Sequence, residues 1–402
     1  MNIAILGYGV EGKETLKFVK NKYPKAKISI LDREKDKDYL KNLDSFDIIF
    51  RSPGVPFNTK EIQKAVKKGV KVTSSTEVFL EGARGTVIAV TGTKGKTTTA
   101  ILIYEILKRA GKNVYLAGNI GKSPIDLLPK LNKNSITVLE LSSFQLHGIS
   151  VSPQITVVLD IFPDHLDHHR NFKEYMEAKT NIVKFQRKND VVFYVPASVT
   201  SAEIARRSLG QKVAVPAHRF PINLKIPGVH NIQNAAMAAA VASHLGVSPV
   251  VSLEIISGFN GVPHRLKFVK TVGGVSFYND SASTNPETTV AALRSFPGKS
   301  KILIAGGRDK NLDFGILKGA VENEDVKSIV LFGECRAKIR RAIGGAAHVV
   351  SSNNLENVVK SAFKKADAGD VVIFSPGATS FDMFENYIDR GKKFERIVKK
   401  LK

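Results

Sequence analysis

Short runs of aliphatic and β-branched residues recur along the chain, and longer amphipathic stretches separate them. "NIAIL", "TVIAVTG", "KILIAGG" and "DVVIFSPG" read as strands, and "KTTTAILIYEILKRAG" reads as a helix that stops at Gly111. This alternation over the whole length predicts an α/β fold with parallel sheets. Glycines interrupt it at "EGARGT" (81–86) and at "GFNGVPHR" (258–265), which suggests domains at 1–84, 85–263 and 264–402. The last of these alternates again: "VSFYND", a helix from Pro286, "KILIAGG", a helix from Asp313, "SIVLFG", a further helix and "DVVIFSPG". It reads as an open doubly wound sheet in its own right. No internal repeat or low-complexity segment breaks the pattern.

Composition narrows the picture. A chain of 402 residues is long for a single core, so two or three domains are expected. The net charge of +23 comes mostly from lysines scattered along helices, as in "AVKKGVK" and "AFKKADA". No aromatic–basic ribbon and no zinc pattern accompanies them, so an anionic small molecule is favoured over nucleic acid. The tail "RGKKFERIVKKLK" reads as one exposed helix face. The single cysteine, Cys335, excludes an intramolecular disulfide and fits a reducing cytoplasm. No apolar run reaches membrane-spanning length, and no leader is expected ahead of "NIAILGYG", so stable membrane insertion is not expected.

Two glycine turns carry the chemistry. Gly7, Gly9 and Gly12 follow the strand "NIAIL", with Val10 and Glu11 between them, and Asp32 ends the next strand. This spacing lets backbone approach a pyrophosphate at a helix N-terminus; it does not specify nicotinamide over a UDP-sugar. The second turn is "VTGTKGKTTTA", residues 90–100. The usual phosphate loop has a glycine where Val90 stands, but Gly92, Thr93, Lys94, Gly95, Lys96, Thr97 and Thr98 preserve its core between strand and helix. There Lys96 reaches β- and γ-phosphate oxygens and Thr97 ligates Mg²⁺.

Several polar residues sit where burial is costly. Glu140 lies inside the apolar strand "VLELSSFQL" (138–146), as a salt-bridge partner or a Mg²⁺ ligand. "PDHLDHH" (163–169) clusters histidines and aspartates at spacings that fit no common zinc motif. Lys179 falls on the buried face of "FKEYMEAKTNIVKF" with Phe172, Tyr175, Met176 and Val183. It snorkels, pairs, or is chemically changed, since a neutral amine takes up CO₂ to form a carbamate. Asn231 and Asn234 sit one turn apart in an alanine-rich helix, where amides suit an adenine edge and Asn231 could equally be a cap. Asp280 ends a strand ahead of a helix with Asn285 as N-cap and Pro286 at N1.

"TGTKGKTT", "ELSSFQL", "PDHLDHH", "HNIQN", "PHR" and "NDSASTNPETT" together resemble the Mur ligase family, in the family's order and over nearly the whole chain. "ELSSFQL", "SPGATSFDMFENYIDRGKKF" and the glycine-rich start resemble its D-glutamate-adding branch. The resemblance implies a Rossmann-like N-terminal domain, a central P-loop ATPase-like sheet and a Rossmann-like C-terminal domain. It implies ATP-driven joining of D-glutamate to UDP-N-acetylmuramoyl-L-alanine through an acyl phosphate, in a cytoplasmic monomer using ATP and two Mg²⁺ ions. The residues from Gly92 to Thr98 would form the ATP loop. Glu140, His165 and a carbamylated Lys179 would hold the second Mg²⁺. Asn231 and Asn234 would hold adenine, Arg265 the γ-phosphate and Asp280 the ribose. Asn119, Ser142 and Gln145 would face the muramoyl-alanine; Val10, Glu11, Ser52, Pro53 and Gly54 would lie along the UDP. Lys310, Ser380, Phe381 and Tyr387 would hold D-glutamate. The chain departs from the family's frequent spelling at Ala282 (often Lys), at Gly377 in "SPGATS", and at Tyr387 (usually Phe).

Three other readings compete with this one. A family ligase adding a different amino acid would differ in the third domain. A UDP- or NAD-binding dehydrogenase is disfavoured by the second phosphate loop. A non-catalytic P-loop regulator that binds nucleic acid would show salt-dependent DNA binding.

Overall fold

The computed structural model describes residues 1–402 other than 121–122, 166–167, 218–223, 227–229 and 310–311. The chain forms two compact units, Met1–Ile222 with Ile232–Ile256, and Asn223–Asn231 with Ser257–Lys402. The first carries two sheets and the second one, so the α/β architecture with parallel sheets expected from the sequence is observed.

The first sheet is built from β1 (Asn2–Leu6), β2 (Lys27–Leu31), β3 (Ile48–Arg51) and β4 (Lys71–Thr73), in the order β2-β1-β3-β4. All its pairings are parallel. Helices α1 (Val10–Lys22), α2 (Lys60–Lys67) and α3 (Ser75–Gly82) belong with it. Residues 3–6 of β1 are fully buried because both faces are covered, Ala4 and Leu6 with Ile49 and Ile62, Ile3 and Ile5 with Val19 and Val78. That is why β1 shows no polar alternation.

The second sheet contains β5 (Thr86–Thr91), β6 (Val114–Gly118), β7 (Ile136–Glu140), β8 (Ile155–Val158), β9 (Val191–Tyr194) and β10 (Gln211–Ala214). Its order is β10-β9-β8-β5-β7-β6, parallel throughout. The chain winds outward from β5 to β6, returns to β7, and then crosses to β8 on the other side. Such a reversal opens a crevice at the C-terminal ends of the strands. Its helices are α4 (Lys96–Arg109), α5 (Ser143–Leu146), α6 (Phe172–Lys184) and α7 (Val199–Arg206), followed by α8 (His230–His244) and α9 (Pro249–Gly258).

The third sheet runs β11-β12-β16-β13-β14-β15, made of β11 (Lys267–Val272), β12 (Val275–Asn279), β13 (Lys301–Gly306), β14 (Val326–Phe332), β15 (His348–Ser351) and β16 (Val371–Phe374). Only the edge strand β11 is antiparallel, paired with β12 across Gly273 and Gly274. Helices α10 (Pro286–Arg294), α11 (Ile316–Asn323), α12 (Arg336–Ile343), α13 (Leu355–Lys364) and α14 (Tyr387–Lys400) cover both faces. Asn285 caps α10, its side chain accepting the Thr288 N–H at 3.0 Å.

Three local expectations need correction. Residues 138–146 are not one strand. β7 ends at Glu140, because Ser142 and Gln145 form a capping box that starts α5. The helix expected from Asp313 begins at Ile316, since the Asp313 carboxylate accepts the Gly315 N–H at 2.8 Å and makes a turn there. The basic tail is not one exposed face. Arg390, Phe394 and Val398 recur every four residues and are fully buried, with the lysines of α14 on the other side.

Candidate active site

At the C-terminal end of β5 the backbone turns through Gly92 (φ +154°) and Gly95 (φ +83°) into α4. A Cβ on Gly92 would stand 2.7 Å from the Leu159 Cβ, and one on Gly95 would stand 2.3 Å from the Asn234 side-chain oxygen. Glycine is therefore required at both positions. Val90, which replaces the usual first glycine, is buried in β5 beside Glu140 and Val157, so the loop starts two residues later than in the common pattern. The N-cap of α4 is Gly95, which has no side chain of its own to cap the helix, and backbone N–H groups at such a helix start suit an anion.

Charged and hydroxyl groups converge on this turn. The Lys96 ammonium donates to the carbonyls of Gly92 and Thr93, each at 3.0 Å. Thr97 donates its hydroxyl to Glu140 Oε2 at 2.8 Å, and the Asn119 amide donates to Glu140 Oε1 at 3.3 Å. Glu140, 1% exposed, is thus held at the strand end by two neutral donors. Thr97 and Glu140 present an alkoxyl and a carboxylate oxygen side by side, a donor pair suited to Mg²⁺.

Lys179 reaches the same turn from α6. Its ammonium donates to the Gly92 carbonyl at 2.9 Å and to Thr91 Oγ1 at 3.4 Å, and lies 4.8 Å from the Tyr175 ring centre. Burial, and after it the charge of Lys96, hold its pKa well below the ordinary lysine value, against the pull of Asp164 and Glu140. Tyr175, not foreseen as a site residue, places its hydroxyl 3.0 Å from Thr93 Oγ1 and is itself pushed up to about 12 by burial. Its place one turn before Lys179 on the same buried face was the available signal.

The three described histidines of residues 163–169 gather around the Phe144 ring, with His165, His168 and His169 at 4.9, 4.3 and 5.6 Å between ring centres, but their surroundings differ. His165 is half-exposed with φ +54°, its ring 3.5 Å from the Asp164 carboxylate. His169 is buried, with Nε2 3.0 Å from Ser143 Oγ, and burial lowers its pKa. Among the described residues no group of three or more His, Cys, Asp or Glu side chains is arranged for a metal.

Comparison with known proteins bears on this arrangement. Residues 90–207 match the Mur ligase middle domain, and residues 264–377 match the Mur ligase glutamate ligase domain. The UDP-N-acetylmuramoylalanine–D-glutamate ligase of Acetivibrio thermocellus is 38% identical over 90% of this chain and 84% of its own. That of Aquifex aeolicus is 36% identical over 99% of this chain and 98% of its own. The chain belongs to the Mur ligase family. Solved structures agree on the fold. The UDP-N-acetylmuramate–alanine ligase MurC of Thermotoga maritima is 18% identical with a TM-score of 0.57 over 99% of each chain. The MurF ligase of the same organism, in complex with ADP, is 20% identical with a TM-score of 0.57 over 99% of this chain and 95% of its own.

In this Mur ligase the other glycine turn is chemically different. Gly7 (φ +88°) packs on Ser52, whose hydroxyl donates to the Gly7 carbonyl at 2.7 Å, and a Cβ on Gly12 would stand 2.1 Å from the Gly7 oxygen. Gly9 precedes α1, Val10 is exposed, Pro53 is half-buried and Gly54 is exposed. Both oxygens of Asp32 are occupied by backbone, one by the Tyr8 N–H and the other by the Glu34 N–H at 2.9 Å; these bonds lower its pKa. Each oxygen keeps a second acceptor site, so these bonds orient the carboxylate and leave it able to accept a hydroxyl. Burial raises the pKa of Glu11, which accepts the Ser75 hydroxyl.

Asn234 and Asn231 are buried on α8. In the second unit, Asp280 is buried at the end of β12, its oxygens taken by the Ser375 hydroxyl at 2.7 Å and the Leu266 N–H at 3.1 Å. Burial pushes it up to about 7, partly offset by those bonds and by Arg265, whose side chain is exposed. Ser380 is buried but opens no helix; its carbonyl accepts the N–H groups of Met383 and Phe384 in a turn, and α14 begins at Tyr387 with Asn386 as cap. Phe381 and Tyr387 are exposed. Lys310 lies outside the described residues.

Proposed function

We infer that this protein is an ATP-dependent ligase that joins D-glutamate to UDP-N-acetylmuramoyl-L-alanine through an acyl phosphate, in peptidoglycan precursor synthesis. The observation that carries the inference is the turn at 92–98, with Lys96 and Thr97 on it and Glu140 and Lys179 bonded to it, in a chain whose relatives bear that activity in their names over nearly its full length. The substrate's terminal carboxylate takes the γ-phosphoryl group of ATP, and the amine of D-glutamate displaces phosphate from the resulting acyl phosphate. The N–H groups at the start of α4 and the Lys96 ammonium bind and orient the phosphates. Thr97, Glu140 and His165 would hold Mg²⁺, joined by Lys179 as a carbamate; the ions would offset charge during phosphoryl transfer. The lowered pKa of Lys179 supports the carbamate, because only the neutral amine adds CO₂.

The remaining assignments belong to the same proposal. Gly7, Gly9, Val10, Glu11, Gly12, Asp32, Ser52, Pro53 and Gly54 serve the UDP part, and Asn119, Ser142 and Gln145 the muramoyl-alanine part. Asn231, Asn234, Arg265 and Asp280 serve ATP. Lys310, Ser380, Phe381 and Tyr387 serve D-glutamate. Residues 1–84, 85–263 and 264–402 act as the UDP-substrate, ATP and amino-acid domains of a cytoplasmic monomer, which the buried free Cys335 suits. No helix among the described residues is long and apolar enough to cross a membrane. Phosphate release with UDP-N-acetylmuramoyl-L-alanine against a panel of D- and L-amino acids tests the function. D-Glutamate is expected to give the highest turnover. Preference for L-lysine or diaminopimelate would leave the family and remove the D-glutamate assignment.

A further inference from the structure

The end of β3 carries a buried cation that none of these assignments uses. Arg51 is 3% exposed, and its guanidinium makes no ion pair among the described residues. Its donors go to carbonyl oxygens of two separate segments. Nη1 donates to Val55 O at 2.7 Å and Ser52 O at 3.4 Å, in the loop that follows β3. Nη2 donates to His147 O at 2.7 Å and Phe144 O at 3.1 Å, at the C-terminal end of α5. A four-residue helix leaves its last carbonyls without helical partners, and Arg51 satisfies two of them.

The contacts on either side extend this tie. Ser52 bonds back to the carbonyl of Gly7, and Ser142 and Gln145 close the capping box at the other end of α5. Phe57 lies beneath the guanidinium, its ring centre 5.7 Å from the Arg51 Cζ and 5.5 Å from the His147 ring. The ring is so close to Gly148 that a Cβ there would stand 2.6 Å from it. Glu11 and Glu77 favour the guanidinium charge from nearby without bonding to it. A planar fork that reaches two segments at once is specific to arginine; a lysine ammonium is a single point donor.

We propose that Arg51 is a positioning residue for the uridine-diphosphate substrate, fixing the 52–55 loop of the first sheet to α5 of the second so that both face the substrate as one preformed surface. The proposal rests on the assignment of Ser52, Ser142 and Gln145 to that substrate. Preorganisation of this kind acts on affinity and leaves the chemical step alone.

The test uses the full-length enzyme and the variants Arg51→Lys and Phe57→Leu. Binding of UDP-N-acetylmuramoyl-L-alanine is measured by calorimetry without ATP, together with KM for each substrate, kcat and the thermal midpoint. Arg51→Lys is expected to weaken binding of the UDP substrate tenfold or more, with KM for ATP and saturated kcat within about threefold. Phe57→Leu, which keeps every hydrogen bond of Arg51, is expected to move the same affinity two- to fivefold. A lowered midpoint with unchanged affinity in both variants, or equal losses for all three substrates, would overturn the proposal. Ser52→Ala and Ser142→Ala separate the two levels. If neither alters UDP-substrate affinity, the substrate assignment fails and the proposal with it. If either does while Arg51→Lys does not, only the clamp fails.

Discussion

Two cations, Lys179 on α6 and Arg390 on α14, are both 1% exposed or less, and their surroundings differ completely. Each nitrogen of the Arg390 guanidinium donates: Nε to Ser281 Oγ at 3.0 Å, Nη2 to Ser281 O at 2.8 Å and Nη1 to Ala378 O at 2.9 Å. Burial draws its pKa down to about 10, so it stays charged and ties the loops after β12 and β16 to the helix. Lys179 has one good acceptor and one long one, a like charge at Lys96, and an ammonium that burial disfavours. A buried cation held through each of its nitrogens is a fastener. Lys179, which burial and a like charge disfavour as an ammonium, is the one of the two better placed to lose its proton.

The largest expected effect is at the loop that the lysine faces. Lys96→Ala should lower phosphate release by about two to three decades, the range for removing one preorganised donor at developing charge. Binding of UDP-N-acetylmuramoyl-L-alanine, measured without ATP, should not change. Full turnover in this variant would remove the loop from the chemistry. Lys179→Ala should be nearly inactive, by about two decades, and partly restored by formate or acetate if the native group acts as a carboxylate. Absence of rescue together with an unmodified lysine in a mass spectrum of the active enzyme would count against the carbamate.

Stability should separate the two cations in the opposite sense. Arg390→Met leaves two carbonyls and a hydroxyl buried without their donor, a loss of about 3 kcal/mol, read as a shift in urea midpoint. Lys179→Met removes a buried polar amine, and the Gly92 carbonyl keeps its bond from Lys96, so the change should be neutral or stabilising. Equal destabilisation of both variants would break the distinction drawn between them.

A further effect is the pH dependence set by Asp280. Its folded pKa of about 7 lies above the unfolded value, so the folded state binds this proton more tightly. Its contribution is fully present below about pH 4 and is lost as pH rises to about 7. Within that window the slope approaches about 1.4 kcal/mol per pH unit. Asp280→Asn should flatten the stability profile between pH 5 and 7, and an unchanged profile would show that the carboxyl does not titrate there.

Much of this was legible in the residues themselves. The strand–helix alternation, the caps Asn285 and Pro286, the two glycine turns, and the misplaced polarity of Glu140 and Lys179 are local patterns. A φ near +83° at Gly95 or an apolar run buried on both faces leaves a mark within a few residues. Local misreadings arose where a short-range hydrogen bond redirected the chain: the Ser142–Gln145 box that ends β7, and the Asp313 turn that delays α11.

Long-range partners leave no such mark, and tertiary structure decided those. Arg390 looked like one more basic residue of an exposed tail until Ser281, more than a hundred positions earlier, met its guanidinium. Asp32 had the right spacing for a nucleotide ribose, but only the fold brings the Tyr8 and Glu34 amides that orient its two oxygens. Arg51 gave no signal, because the carbonyls it holds at Phe144 and His147 are backbone groups that every residue carries. Sequence by itself determined which groups the chain could offer and which elements would carry them. Only the folded chain decided which of those groups were already satisfied, because a hydrogen-bond donor or a buried charge takes its meaning from the atoms brought to it.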